Sequence, residues 1–247
     1  MAEGVNVLAA ADGTVAAIRN GVPDQAVTEE NRTMIERREC GNAARIDHGD
    51  GWHTLYCHMA NGTLRVSPGD KVASGQVLGQ VGLSGLTNVP HVHLGVFKDG
   101  KVIDPFAPDP DATCGQPESN GLWRQAPEYH TTGLFTAGFS TAIPSFEDVK
   151  TGAARVRNGH PGDAIVLYAH AFHAQPGDIM EFTAIGPGGE VFNHSLVLED
   201  PKPNLFRAFG RRSPEFGWPA GFYRGYVKMM RNGHLLAVRH GDFTINP

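Results

Sequence analysis

The chain is interrupted at short intervals by residue pairs that reverse a backbone. These are Asp12-Gly13, Gly49-Asp50-Gly51, Pro68-Gly69-Asp70, Ser74-Gly75, Asp99-Gly100 and Arg231-Asn232-Gly233. Asp-Gly and Asn-Gly accept the positive φ of two-residue hairpin turns at little cost. The segments between them are short and apolar-rich, as strands are. With 31 glycines and 17 prolines in 247 residues, long helices have little room, and the expected fold class is all-β. One exception is Thr28, followed by Glu29 and Glu30, which reads as the capped start of a short helix on a polar excursion.

The texture changes along the chain. The Pro-, Gly- and Asp-rich stretch "IDPFAPDPDATCGQPESNG" reads as a linker. It gives expected boundaries of 1–108 for a first domain, 109–128 for the linker and 129–247 for a second domain. The second domain shows strands at regular spacing with Gly, Pro and Asn-Gly turns, the pattern of an immunoglobulin-like β-sandwich. Its histidines, among them His160, His170, His173, His194, His234 and His240, are scattered. His170 and His173 are three apart in a strand pattern and so face opposite sides.

Composition excludes several classes. A net charge of −5 gives no footprint for nucleic acid. No apolar run is long enough for a transmembrane helix, and the opening "MAEGVNVLAAADGTV" is not a signal peptide.

Chemistry concentrates in "VGLSGLTNVPHVHLGVFKDG", residues 81–100. His91 and His93 flank one valine, so on a strand they point to one face, about 7 Å apart. That spacing suits a metal ligand beside an acid–base group. His48 and His53 flank the Gly49–Gly51 turn, at the wrong end of their hairpin to join His58, and read as surface residues. Tyr56, two before His58, reads as packing.

Three stretches in order resemble the lysostaphin-type (LytM-like) zinc metallopeptidases. They are "GVNVLAAADGTV", "ARIDHGDGWHTLYCHM" ending in Tyr-x-His, and "VSPGDKVASGQVLGQVGLSGLTNVPHVHLGV". The resemblance spans Val5 to Pro105. It implies a small, highly twisted antiparallel β-sheet with a groove on one face, and cleavage of peptidoglycan peptides. It makes His93 a Zn2+ ligand and His58 and His91 the catalytic histidines. It also implies a periplasmic or extracellular place for the full-length form. The turns of residues 66–79 are similar to those of biotinyl, lipoyl and glucose-type IIA carrier domains too, but those leave Tyr-x-His and His-x-His unexplained.

A catalytic zinc takes three protein ligands and an open position. The family's other two come from His-x-x-x-Asp ahead of the first strand, and no histidine here has an aspartate four residues on. Weak or absent zinc occupancy and an inactive chain are therefore expected. Two readings follow: a piece of a longer secreted enzyme, or a degenerate member that binds peptidoglycan or regulates a cell-wall hydrolase. The first is favoured, because His58, His91 and His93 all stand where the motifs place them.

Three cysteines leave one over. Cys40 and Cys57 bracket the central hairpin, a few residues out of register, and a curl at Gly41-Asn42 would bring them to bonding distance. Pairing of Cys114 with either, or of one with a cysteine outside this sequence, competes. A test of the favoured reading is the coding sequence before Met1. It is expected to carry, in frame, a His-x-x-x-Asp motif and a secretory signal. A stop codon and ribosome-binding site directly before Met1 would leave the degenerate reading.

Overall fold

The computed structural model describes residues 4–109, 111, 121–128 and 130–247. Its contacts divide the chain into two compact units, Met1–Glu128 and Tyr129–Pro247. Both are built from sheets that are antiparallel, as the turn pattern implies, except for one short parallel pair in the second unit, Asn158–Gly159 beside Thr244–Ile245. Among the described residues no helix is long and apolar enough to cross a membrane. Half of the expected linker, Cys114 included, lies outside the described residues.

The first unit runs β1 (Asn6–Leu8), β2 (Gly13–Arg19), α1 (Arg32–Ile35), β3 (Asn42–Gly49), β4 (Trp52–Met59), β5 (Lys71–Val72), β6 (Val77–Gln80), β7 (His93–Lys98) and β8 (Lys101–Ile103). Six strands form one sheet in the order β5-β2-β3-β4-β7-β8, and β1 pairs with β6 in a separate ribbon. The β3–β4 and β7–β8 turns place Asp50-Gly51 and Asp99-Gly100 at positive φ, the conformation that two-residue hairpins demand.

The helix expected at Thr28 begins four residues later. Thr28 and Asn31 instead exchange bonds, each backbone N–H donating to the other's side-chain oxygen. That closed loop makes a turn where a cap was expected.

The core of this unit gathers Val7, Val15, Ala44, Ile46, Tyr56, Met59 and Leu78. Tyr56 does more than fill space. Its hydroxyl accepts from the Ala10 N–H at 2.8 Å and from the Thr54 hydroxyl at 3.1 Å. The segment after β1 is thereby fastened to the middle of β4.

The second unit contains β9 (Gly133–Ser140), α2 (Phe146–Thr151), β10 (Asn158–Gly159), β11 (Ile165–Ala174), β12 (Ile179–Gly186), β13 (Gly189–Val197), β14 (Lys202–Arg211), β15 (Gly221–Arg231) and β16 (His234–Ile245). One sheet has the order β10-β16-β15-β12-β13 and the other β14-β11-β9. Their facing side chains form one core, with Phe139, Leu167, Phe182, Val227 and Phe243 among them. Strand β11 is covered on both faces. Ile165, Leu167 and Ala169 enter that core, while Tyr168 lies with Val149 and Ala154 under α2. Burial on both faces accounts for the nearly unbroken apolar run of this strand.

In the same unit Asp178, fully buried, receives two guanidinium bonds from Arg231 at 2.7 and 2.9 Å and the Gln175 N–H at 2.8 Å.

The Tyr56 bonds generate a test. Tyr56→Phe keeps the ring and strips the Ala10 N–H of its acceptor. The loss should cost about 1–3 kcal/mol, read as a lowered unfolding midpoint in urea with unchanged m-value.

Candidate functional site

The site is set by an irregularity in β4. Along β3 and β4, Ala44 pairs with Tyr56, but the next pair is Asn42 with Met59. Strand β4 therefore carries one extra residue, a β-bulge. The bulge makes Tyr56 and Met59, three apart, share the core face. His58 is released from the alternation and takes a φ of 61°. Its N–H donates to the Cys40 carbonyl at 2.8 Å, and its carbonyl accepts from the Gly82 N–H at 2.9 Å. The ring is buried, with 7% of the residue exposed.

Two neighbours reach it. On β7, His93 is paired with Cys57. His91 precedes that strand and bridges to Gly82 instead of lying within β7. The ring centroids of His58 and His91 are 4.8 Å apart, and those of His58 and His93 are 6.0 Å apart. The three predicted site residues thus stand together, although their roles do not follow from proximity alone.

Hydrogen bonds fix two tautomers. The Nδ1 of His58 lies 2.9 Å from the Ser84 carbonyl, and that of His91 lies 2.8 Å from the Val89 carbonyl. A carbonyl only accepts, so each Nδ1 carries the proton, and each neutral ring keeps its lone pair on Nε2. Thr87 supports the second bond. Its hydroxyl donates to the same Val89 carbonyl at 2.9 Å and lies 3.3 Å from His91 Nδ1. Burial holds the His58 pKa below the ordinary histidine value. The neighbouring His91 and His93 push the same way, against the Ser84 bond.

A zinc ion would need more than this cluster provides. Among the described residues, no group of three or more His, Cys, Asp or Glu side chains is disposed to hold a metal ion. The donors present are imidazoles packed ring against ring, with no carboxylate among them. They do not make a complete zinc site.

The other histidines stand apart from the cluster. His48 is half-buried, not simply superficial. Its Nδ1 lies 2.7 Å from the Asp12 carbonyl and its Nε2 2.9 Å from the Thr54 hydroxyl. His53 is also half-buried and stacks on Phe97 at 4.7 Å. Both serve the hairpin end of the sheet. In the second unit His170 is buried against Phe135 and Phe146, and His173 is exposed.

Ser84, Thr87 and Val89 are the residues sequence reasoning missed, and Cys40 was read only as a disulfide partner. Ser84, Val89 and Cys40 act mainly or partly through backbone carbonyls, which leave no mark in residue type. Only Thr87, four residues before His91, offers a side-chain signal.

Residues 1–105 match the family model described as Peptidase family M23. Over 91 residues the chain is 32% identical to the cell division protein DipM of Caulobacter vibrioides, covering 37% of this chain and 12% of that protein. Over 76 residues it is 34% identical to the DD-carboxypeptidase/endopeptidase Mpg of Neisseria meningitidis serogroup B, covering 30% and 17%. The chain thus spans less than a fifth of the length of these relatives. Among solved structures, the catalytic domain of the prophage-encoded M23 protein EnpA from Enterococcus faecalis aligns at 27% identity. It covers 46% of this chain and 72% of that one, with a TM-score of 0.32.

The buried His58 makes stability depend on pH. The unfolded chain takes up this proton near the ordinary value of 6.5, and the folded chain only at lower pH. The stabilisation is therefore present above that value and is lost as pH falls through it toward the folded pKa. Melting of the first unit should move to lower temperature on acidification from about pH 7.5 to about pH 5, and His58→Asn should flatten the dependence. An unchanged slope in the variant would remove His58 as its source.

Proposed function

We propose, on the premise that the N-terminal region belongs to the LytM-type M23 peptidases, that the first unit engages the peptides of peptidoglycan at the histidine cluster. The observation that carries this is the pair of fixed tautomers. His58 and His91 each anchor Nδ1 on a backbone carbonyl, which leaves the lone pair of each neutral ring on Nε2. Those Nε2 atoms are where a proton is taken up from a nucleophile or returned to a leaving amine. Depression of the His58 pKa by burial keeps its lone pair available at neutral pH. His93, exposed next to them, is the residue we assign to face zinc.

Because the described residues lack a full ligand set, zinc occupancy of this chain by itself is weak, and a hydrolytic cycle needs ligands beyond those described. The same observation favours a second reading, in which the unit holds peptidoglycan peptides without cutting them. The Cys40–Cys57 disulfide supports a periplasmic or extracellular setting, where such bonds persist and where peptidoglycan lies.

One experiment separates the readings. The chain is dialysed, assayed for zinc by elemental analysis, and incubated with purified sacculi with and without added Zn2+. We expect well under one zinc per molecule and binding to sacculi without release of peptides. His91→Ala should weaken binding by less than about tenfold if the pair serves chemistry and not affinity. Stoichiometric zinc with peptide release would establish the hydrolase in this chain and show that ligands were overlooked. No binding to sacculi would remove peptidoglycan as the partner.

A further inference from the structure

His58 holds a backbone conformation that side-chain-bearing residues keep only when their surroundings over-determine it. Its N–H is taken by Cys40, its carbonyl by Gly82 and its Nδ1 by Ser84. The residue before it is covalently joined to the first of these partners. The Cys40–Cys57 disulfide spans a Cα–Cα distance of 4.8 Å. One cross-link therefore fixes the donor side of His58 to its acceptor.

The segment bearing Cys40 is itself seated on the Ser84 segment. The Leu86 N–H donates to the Glu39 carbonyl at 2.7 Å. The Asn42 N–H donates to the Ser84 hydroxyl, which donates in turn to the Met59 carbonyl. Two glycines permit this approach. A Cβ at Gly41 would stand 2.3 Å from the Ser84 carbonyl oxygen, and one at Gly85 would stand 2.3 Å from that of Glu39. Three segments, 39–42, 57–59 and 82–86, thus close around one histidine.

The position of the cross-link decides what it does. Strands β3 and β4 are joined by a two-residue turn and pair in regular register from Ala44 to Asp47. Closing so short a hairpin adds little to a fold that already pairs it. The disulfide lies where the pairing fails, at the bulge, and there it stands in for the missing ladder bonds.

We propose that Cys40 and Cys57 are positioning residues for His58, and that the histidine cluster is assembled only while their disulfide is closed. Reduction by a dithiol transfers two electrons to the S–S bond. The dithiol leaves as its own disulfide, and the two sulfurs become thiols. The Cys40 carbonyl is then held to the bulge by hydrogen bonding alone, and His58 can relax toward ordinary strand geometry, away from His91 and His93. The clamp stands on geometry alone. Only its consequence for activity rests on the reading of His58 as a proton-transfer group.

The test uses the full chain with Cys114→Ser, with and without the further changes Cys40→Ser and Cys57→Ser. Amide hydrogen exchange and backbone chemical shifts are recorded by NMR. We expect exchange at the His58 and Gly82 N–H groups to quicken by about tenfold or more, and the His58 shifts to leave the left-handed pattern. The Val15 and Arg65 N–H groups, bonded to Asp70 and Leu78 elsewhere in the unit, should keep their protection. If the variant does not fold, the same amides are followed in the Cys114→Ser chain after addition of dithiothreitol. Unchanged exchange and shifts at His58 would overturn the proposal. So would a loss of protection shared equally by Val15 and Arg65, since the bond would then support the whole unit and not this residue. Absence of peptidase activity would bear on the proposed function and leave these readouts untouched.

Discussion

A strand that kept strict alternation through Tyr56 would send His58 into the same apolar face. The extra residue in β4 prevents this. It gives the core position to Met59, which is fully buried beside Tyr56, and turns His58 toward His91 and His93. The cost is a left-handed histidine and a gap in the ladder. Bonds from Cys40, Gly82 and Ser84 offset it, and their carriers need glycine at Gly41, Gly82 and Gly85 to come so close. A Cβ at Gly82 would lie 2.3 Å from the Ala60 nitrogen. The cluster is therefore built jointly by the sheet, which supplies His58 and His93, and by the segment between β6 and β7, which supplies His91 and the Ser84 and Val89 carbonyls.

Much of this was legible before any coordinates. Hairpins announced themselves because Asp-Gly and Asn-Gly are the residues that tolerate their φ. The His-x-His and Tyr-x-His stretches marked the candidate site only through the family resemblance, since what joins them is the pairing of β4 with β7, which no short turn sets. The cysteine pair was foreseen with a curl at Gly41-Asn42. Gly41 does take positive φ, but the residue that adjusts the register lies on β4. A bulge has no compositional signature, and so neither the release of His58 nor its carbonyl partners could be read.

Helices were read less well. The start at Thr28 was displaced because Thr28 and Asn31 satisfy each other. Helix α2 passed unnoticed although Ser145 caps it, its hydroxyl accepting the Asp148 N–H, and Gly152 ends it in the left-handed region. Six residues are too few for periodicity to speak, and the cap was the one available sign. The reading of Tyr56 as packing was incomplete for a similar reason. The partner of its hydroxyl is a backbone N–H 46 residues away.

The central claim is that backbone carbonyls hold His58 and His91 with Nδ1 protonated and Nε2 open. A long-range 1H–15N correlation spectrum of the neutral imidazoles tests it most directly, since Nδ1–H and Nε2–H tautomers give different patterns. At a pH about two units above the ordinary histidine pKa, both residues should show the Nδ1–H pattern. An Nε2–H pattern for either would break its bond to Ser84 or Val89 and contradict the account of the site.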